Sequence, residues 1–158
     1  MRIRKWLFWS LVPLSVWATR DARRSGLGRR LMRVLGTATL WVRGARKQDD
    51  LAGIGREWQR MFPDPADHPL TVENGTVYGE IHVHCPYRGT GNVEGCHRMM
   101  EYDRRMLESI GGQFVVLRSQ AEPGVVACRV AMRGPGASMA DLVPAHVRAR
   151  AGTAPDAT

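Results

Sequence analysis

The sequence has few cysteines, few acidic residues near its start and no long apolar run. Only three of its 158 residues are cysteines, a small odd number that does not suggest a disulfide framework and favours a reducing compartment. It contains no C-x2-C pair, so the standard structural zinc motifs are missing. The longest apolar run, residues 6–18, holds 13 residues, whereas a membrane-spanning helix needs about 20. These absences argue against a disulfide-rich secreted scaffold and against a transmembrane helix in that run.

The remaining composition is that of a globular protein with one strongly basic part. Hydrophobic residues make up 44% of the chain and charged residues 24%, which predicts one folded domain with a real core. Residues 1–60 hold 14 Lys or Arg against 4 Asp or Glu, whereas the rest holds 9 against 11. The basic half is suited to an anionic surface such as a membrane. No recognised DNA- or RNA-binding motif accompanies it, so nucleic acid is not the expected partner.

Residues 1–25 form a basic, Trp-rich N-terminal segment with three interpretations. It could be a helix that packs in the domain, or a membrane-surface helix whose Trp and Arg side chains favour the headgroup region. It also resembles a cleaved export signal, with Val16-Trp17-Ala18 as the cleavage site. We expect a cytoplasmic protein that associates with an anionic membrane surface through residues 1–47, with export as the alternative.

The periodicity predicts an α+β fold in which N-terminal helices pack on a small antiparallel sheet and one helix crosses it. The single domain is expected to cover residues 26–133, followed by a Gly/Ala/Pro-rich tail, residues 134–158, that is largely disordered. Asp49-Asp50 supplies the N-cap of a short helix in which Trp58 and Met61 are buried. The predicted helices are 26–47, 50–61 and 94–110, and the predicted strands are 76–85, 113–119 and 125–133.

All three cysteines lie within residues 82–128, and two of them are next to histidines, in His84-Cys85 and Cys96-His97. Cysteine and histidine supply nucleophiles, proton shuttles and soft metal ligands near neutral pH. Alternation along the strand 76–85 places Glu80, His82 and His84 on one face and Cys85 on the other. That row of side chains either faces solvent or, if another element covers it, lines a pocket.

The other two cysteines are expected to be buried. In the helix 94–110, Cys96 shares one stripe with Met99, Asp103, Met106 and Ile110. A buried Asp is uncommon unless it is paired or functional, so we expect Asp103 to form a salt bridge with an arginine or to act in a site. Cys128 lies on the apolar face of the last strand and is expected to be a small core residue.

The order of these features resembles the L-2-amino-thiazoline-4-carboxylic acid hydrolase family over roughly residues 26–133. The similarity rests on Cys85-Pro86 after a strand, Cys96 leading a helix with Asp103 seven residues on, and a hairpin that bears Cys128. The resemblance implies a helical first half, an α+β second half and a hydrolase. The implied reaction opens a ring C–N bond in a small carboxylated cyclic amidine.

The residues offer a mechanism for that reaction. Cys85 would attack the ring carbon as a thiolate, which requires a neighbouring base or cation because a free thiol has a pKa of about 8.5. His97 or His82 would be that base, and Asp103 would orient it or protonate the leaving nitrogen. The predicted substrate-binding residues are Arg88 or Arg98 for the carboxylate, with Glu80, His84 and Cys96 lining the site.

Two other functions remain open from the sequence. The string H-x-H-C-x10-C-H carries enough nitrogen and sulfur donors for a zinc site, although no single residue is assigned as a ligand. For the hydrolase itself no cofactor is expected. The protein could instead be a non-enzymatic domain that binds a small ligand or associates with membranes through its basic N-terminal part.

Overall fold

The computed structural model describes residues 12–152 and shows an α+β fold, which confirms the predicted fold class. Its four strands form one antiparallel sheet in the order β1-β2-β4-β3. No helix within these residues is long and apolar enough to cross a membrane. The strands are β1 Leu70–Glu73, β2 Thr76–Ile81, β3 Gln113–Arg118 and β4 Cys128–Arg133; the helices are α1 (residues 12–20), α2 Ser25–Arg43, α3 Leu51–Arg60, α4 Val93–Met99, α5 Glu101–Ile110 and α6 Ala145–Arg150.

The two faces of the sheet are covered by different parts of the chain. Because side chains alternate along a strand, Phe114 and Val116 of β3 join the core beneath the helices, whereas Val115 points to the other side. There it packs with Ala131 and with Leu142 from the segment after β4. The tail predicted to be largely disordered is therefore folded as far as residue 152, and residues 153–158 lie outside the described part.

Helix α2 packs closely on its neighbours through two glycines. Its buried residues are four apart and so lie on one face, namely Gly28, Met32, Gly36 and Leu40. A Cβ at Gly28 would come within 2.5 Å of the Ala18 carbonyl oxygen in α1, and a Cβ at Gly36 within 2.8 Å of the Tyr102 carbonyl oxygen in α5. Glycine at these points lets α2 contact α1 and α5 at backbone distance, despite a cost of roughly 0.5–1 kcal/mol per glycine in a helix.

Several predicted boundaries were wrong, and the structure gives the reasons. The helix predicted over 26–47 ends at Arg43 because Gly44 adopts a left-handed conformation. The helix predicted over 94–110 divides at Met100 into α4 and α5. The strand predicted to reach residue 85 stops at Ile81, since its partner β4 begins at Cys128, directly opposite Ile81, and no strand among residues 12–152 continues the ladder.

Trp58 lies at the centre of the core and is fully buried, as predicted, together with Met61. Its ring makes edge contacts with Phe62 at 5.0 Å and His68 at 5.6 Å between centroids. Its indole N–H donates a 3.0 Å hydrogen bond to Oδ1 of Asp103. Asp103 is buried as predicted. Of its two expected roles, the salt bridge to an arginine does not form within residues 12–152, where the carboxyl accepts from Trp58. Burial raises the pKa of Asp103 to about 6, against the smaller lowering effect of that hydrogen bond.

We predict that Asp103→Asn becomes more stable relative to the wild type as the pH rises. The unfolded carboxyl ionises near its ordinary pKa of 3.8, whereas the folded one holds its proton until about pH 6. The folded wild type therefore binds more protons in this window and loses stability as pH rises through it, by about 3 kcal/mol. Asn keeps an acceptor for Trp58 and does not titrate. Urea unfolding of both proteins at pH 4 and pH 8 measures the difference.

The exposed Asp49 provides a matched control, because Asp49→Asn removes a carboxyl that is not buried. That variant should follow the wild type at both pH values. A constant difference in unfolding free energy between Asp103→Asn and the wild type would contradict the prediction.

Candidate functional site

The three cysteines converge although they are far apart in sequence. Cys96 on α4 and Cys128 at the start of β4 are both buried, and their thiols are hydrogen-bonded to each other. Cys85, in the segment between β2 and α4, is half-buried and close enough to Cys96 for their charges to interact. All three are free thiols. Cys85 is therefore the member of the cluster that solvent and small molecules can reach.

The buried side chain of Gln120 holds the segment that carries Cys85. Its amide nitrogen donates to the carbonyl oxygens of Ile81 and Val83, both at 2.9 Å. Its amide oxygen accepts from the backbone N–H of Cys85 at 3.2 Å and from Nε of Arg88 at 2.8 Å. These four bonds replace the missing strand ladder beyond Ile81 and fix the position of Cys85.

The environment of Cys85 keeps its thiol protonated near neutral pH. Burial raises the pKa of Cys85 to about 11, and the lowering effects of the Tyr87 backbone N–H, 3.4 Å from Sγ, and of the Arg88 charge are smaller. The hydrogen bond with Cys128, followed by burial, raises the pKa of Cys96 well above its ordinary range. Since the thiolate is the nucleophilic form, neither cysteine is a strong nucleophile in the free protein.

The two arginines predicted to hold a substrate carboxylate have different surroundings. Arg98 is buried, and its guanidinium donates to the carbonyl oxygens of Thr19 at 2.7 Å and Arg20 at 3.2 Å. These are the last carbonyls of α1, which have no partner within their own helix, so Arg98 serves the fold. Arg88 is exposed and donates from Nη2 to the carbonyl oxygen of Val126. It retains donors on the solvent side for a carboxylate.

Helix α1 is hydrogen-bonded to the loop that carries Cys85. The Tyr87 hydroxyl is 2.7 Å from Oγ1 of Thr19 and donates to the carbonyl oxygen of Val16 at 3.3 Å. Ala18 and Thr19 are fully buried. Residues 12–20 thus pack as a helix of the domain, and residues 1–11 of the N-terminal segment lie outside the described part.

His97 lies in a separate cluster on α4. Its ring stacks on that of His146 with 3.6 Å between centroids, and Nδ1 is 2.7 Å from Nη2 of Arg104. Burial, followed by the Arg104 charge, lowers the pKa of His97 to about 3, so the ring is neutral. His97 and Cys96 line a cleft of about 10 Å³, which has room for no more than one water molecule. Among residues 12–152 no hydrogen bond joins Cys85 to a histidine.

The side chains that were predicted to share one face of the strand 76–85 point to solvent. Glu80, His82 and His84 are all exposed. The distance between Nε2 of His82 and Oε2 of Glu80 is 2.6 Å. The pocket-lining interpretation would need another element over these side chains, and the structure leaves them open. Within residues 12–152 no three His, Cys, Asp or Glu side chains are arranged to hold a metal ion.

Three residues of this region were missed by the sequence-based interpretation. Gln120 also donates its backbone N–H to Sγ of Cys128 at 3.3 Å, so it contacts two of the cysteines. Tyr87 connects the site to α1, and His146 covers His97. Gln120 and Tyr87 were identifiable only as polar residues near predicted turns, and His146 fell in the tail predicted to be disordered.

We predict that Cys85 is the first thiol to react with a disulfide reagent and that its rate increases with pH up to about 11. Cys85 is half-buried whereas the other two cysteines are buried, so reagents reach it first, and its pKa of about 11 limits the thiolate at lower pH. Native thiol titration at several pH values measures the rates, and titration in denaturant should then release all three thiols. Cys85→Ser should remove the first phase. A fast phase that persists in this variant would contradict the assignment.

No family model matches the chain, and no curated protein or solved structure matches it either.

Proposed function

We propose that the protein is a hydrolase that opens a C–N bond in a small carboxylated cyclic amidine, with Cys85 as the nucleophile. The observation that carries this proposal is the convergence of three free thiols of which Cys85 alone is only half-buried. Cys96 is close enough to Cys85 for their charges to interact, and Cys96 and Cys128 are both buried. The family resemblance suggests the substrate class, and the half-buried position of Cys85 supports it as the reacting thiol.

The protonated state of Cys85 constrains the first step. With a pKa of about 11, the thiol needs a base, and an amidine is itself strongly basic. We propose that the amidine nitrogen takes the Sγ proton and that the resulting thiolate forms an Sγ–C bond with the amidinium carbon. The ring C–N bond then breaks, and its nitrogen leaves as a primary amine with the transferred proton and a second proton from the other amidine nitrogen, which becomes an imine on the carbon still bound to Sγ. Water attacks the same carbon and restores the Cys85 thiol, so one water is consumed overall.

Arg88 is proposed to bind the substrate carboxylate. Its charge acts on Cys85, and its Nε and Nη2 atoms are held by Gln120 and Val126. A guanidinium has five N–H donors, so the remaining ones can pair with a carboxylate while the anchored ones keep the group in place. Gln120 would act as a positioning residue, since it holds both the Cys85 backbone and Arg88.

Roles for His97, His82 and Asp103 in the reaction stay predictions. The described hydrogen bonds of these residues lead to Arg104, Glu80 and Trp58 respectively. The proposed mechanism uses the amidine of the substrate as the base, so it needs no histidine beside Cys85.

The test is incubation of the full chain with L-2-amino-thiazoline-4-carboxylate, followed by mass spectrometry for a product that has gained one water. We expect Cys85→Ser to lower the rate by at least about 100-fold, because a hydroxyl is a much weaker nucleophile in this setting. Cys128→Ala removes a buried thiol of the same cluster and should retain measurable turnover if it folds. Full turnover by Cys85→Ser, or none by the wild type, would refute the proposal.

Arg88→Gln tests the carboxylate contact separately. Loss of a charge-assisted hydrogen bond costs about 1.5–3 kcal/mol, so we expect KM for the carboxylate substrate to rise about tenfold or more. KM for the methyl ester of the same ring should not change in this variant. Equal effects on both substrates would show that Arg88 acts on the loop and not on the carboxylate.

A further inference from the structure

Helix α2 carries an exposed apolar stripe on the side opposite its buried face. Leu27, Val34 and Trp41 are 55%, 64% and 85% exposed. They are seven residues apart, so they lie nearly in line along the helix, with a drift of only about 20° per heptad. The half-buried Leu31 and the exposed Ala38 lie beside this line. An outward-facing Trp with most of its surface in water is an unusual feature for a folded domain.

The charge around this stripe has one sign. Helix α2 contains four arginines and no acidic residue, and one of them, the exposed Arg30, lies beside the stripe in helical projection. Over residues 12–47 the sequence has nine Lys or Arg and a single acidic residue, Asp21. This region therefore accounts for the entire net charge of +8 of the chain. Such a field attracts an anionic partner surface.

Helix α1 adds exposed apolar side chains next to the N-terminal end of α2, since Trp17 contacts Arg24 just before that helix. Leu14 and Trp17 are 47% and 51% exposed, and the Arg24 guanidinium lies 4.3 Å above the Trp17 ring. Trp and Arg side chains together are typical of membrane–water interfaces, where the ring sits at headgroup level and the charge meets lipid phosphates.

We propose that the α2 stripe, with Trp17 of α1, is a docking surface for an anionic lipid bilayer, on which α2 lies parallel to the membrane plane. The stripe from Leu27 to Trp41 is about 21 Å long at 1.5 Å per residue. Its apolar line would enter the interface, and the flanking arginines would contact the headgroups. This proposal is independent of the hydrolase proposal, since it uses none of the residues of the thiol cluster.

A second copy of the chain is the alternative occupant. The spacing of Leu27, Leu31, Val34, Ala38 and Trp41 is four, three, four, three, which is also that of a coiled-coil seam. Pairing two copies of α2 would bring together two surfaces from the same basic region, because the helix itself has no acidic side chain and residues 12–47 hold nine Lys or Arg against one Asp. Charge therefore favours an anionic bilayer over self-association.

The test is sedimentation of the full chain with vesicles of phosphatidylcholine alone and of phosphatidylcholine mixed with phosphatidylglycerol. We expect binding to the anionic vesicles, weaker binding at high salt and little binding to the neutral ones. The variant Leu27→Ser/Val34→Ser/Trp41→Ser should lose about tenfold or more in affinity. The variant Arg30→Gln should lose roughly fivefold in affinity for anionic vesicles, at about 1 kcal/mol per arginine, and should be unchanged on neutral ones.

A matched control replaces two apolar side chains that are exposed elsewhere. Val72 on β1 and Val126 before β4 are 56% and 75% exposed, and Val72→Ser/Val126→Ser should bind vesicles like the wild type. Circular dichroism and thermal unfolding confirm that each variant is folded. Because the changed positions are exposed, the fold should tolerate them.

Three results would overturn the proposal. One is wild-type binding to neither type of vesicle. The second is unchanged vesicle binding by the triple variant, which would assign any lipid contact to another part of the chain. The third is a wild-type dimer in sedimentation velocity that the triple variant abolishes, because this would show that the stripe is covered by a second copy.

Discussion

The hydrogen bond between the Trp58 indole and the buried Asp103 carboxyl is the constraint on which the core depends. A buried indole N–H needs an acceptor, and Asp103 supplies it from α5 while Trp58 comes from α3. The sheet makes room for the ring at Gly79, where a Cβ would come within 3.2 Å of it. Removing the indole would leave a carboxyl buried without its donor, which is more costly than losing the bond itself. This hydrogen bond thus joins α3 to α5 in the core between the helices and the sheet.

The thiol cluster depends on a second buried polar side chain. Gln120 holds the segment around Cys85 with its amide group and contacts Cys128 through its backbone. Gln120 fixes the backbone of Cys85, and burial of the thiol raises its pKa, so Cys85 keeps its proton near neutral pH. A substrate that brings its own base suits such a site better than one that needs a preformed thiolate.

The N-terminal helices connect the proposed site with the proposed membrane surface. Helix α1 is fastened to the Cys85 loop through Tyr87 and Thr19 on one side. On the other side it contacts α2 at Gly28, and α2 presents Trp41 to the outside. The two faces of α2 thus differ in composition. Gly28 and Gly36 on the inner face allow close helix packing, whereas the large apolar side chains of Leu27, Val34 and Trp41 are exposed on the outer face.

Local patterns in the sequence determined the element types, the N-cap at Asp50 and the burial of Trp58 and Cys128, because these depend on side-chain periodicity over a few residues. The tertiary structure decided what depends on neighbours distant in the chain. The strand after Thr76 stops early because β4 supplies no further partner, and Asp103 pairs with an indole 45 residues away. The convergence of the cysteines and the lowered pKa of His97 have the same origin, since burial and distant charges set them.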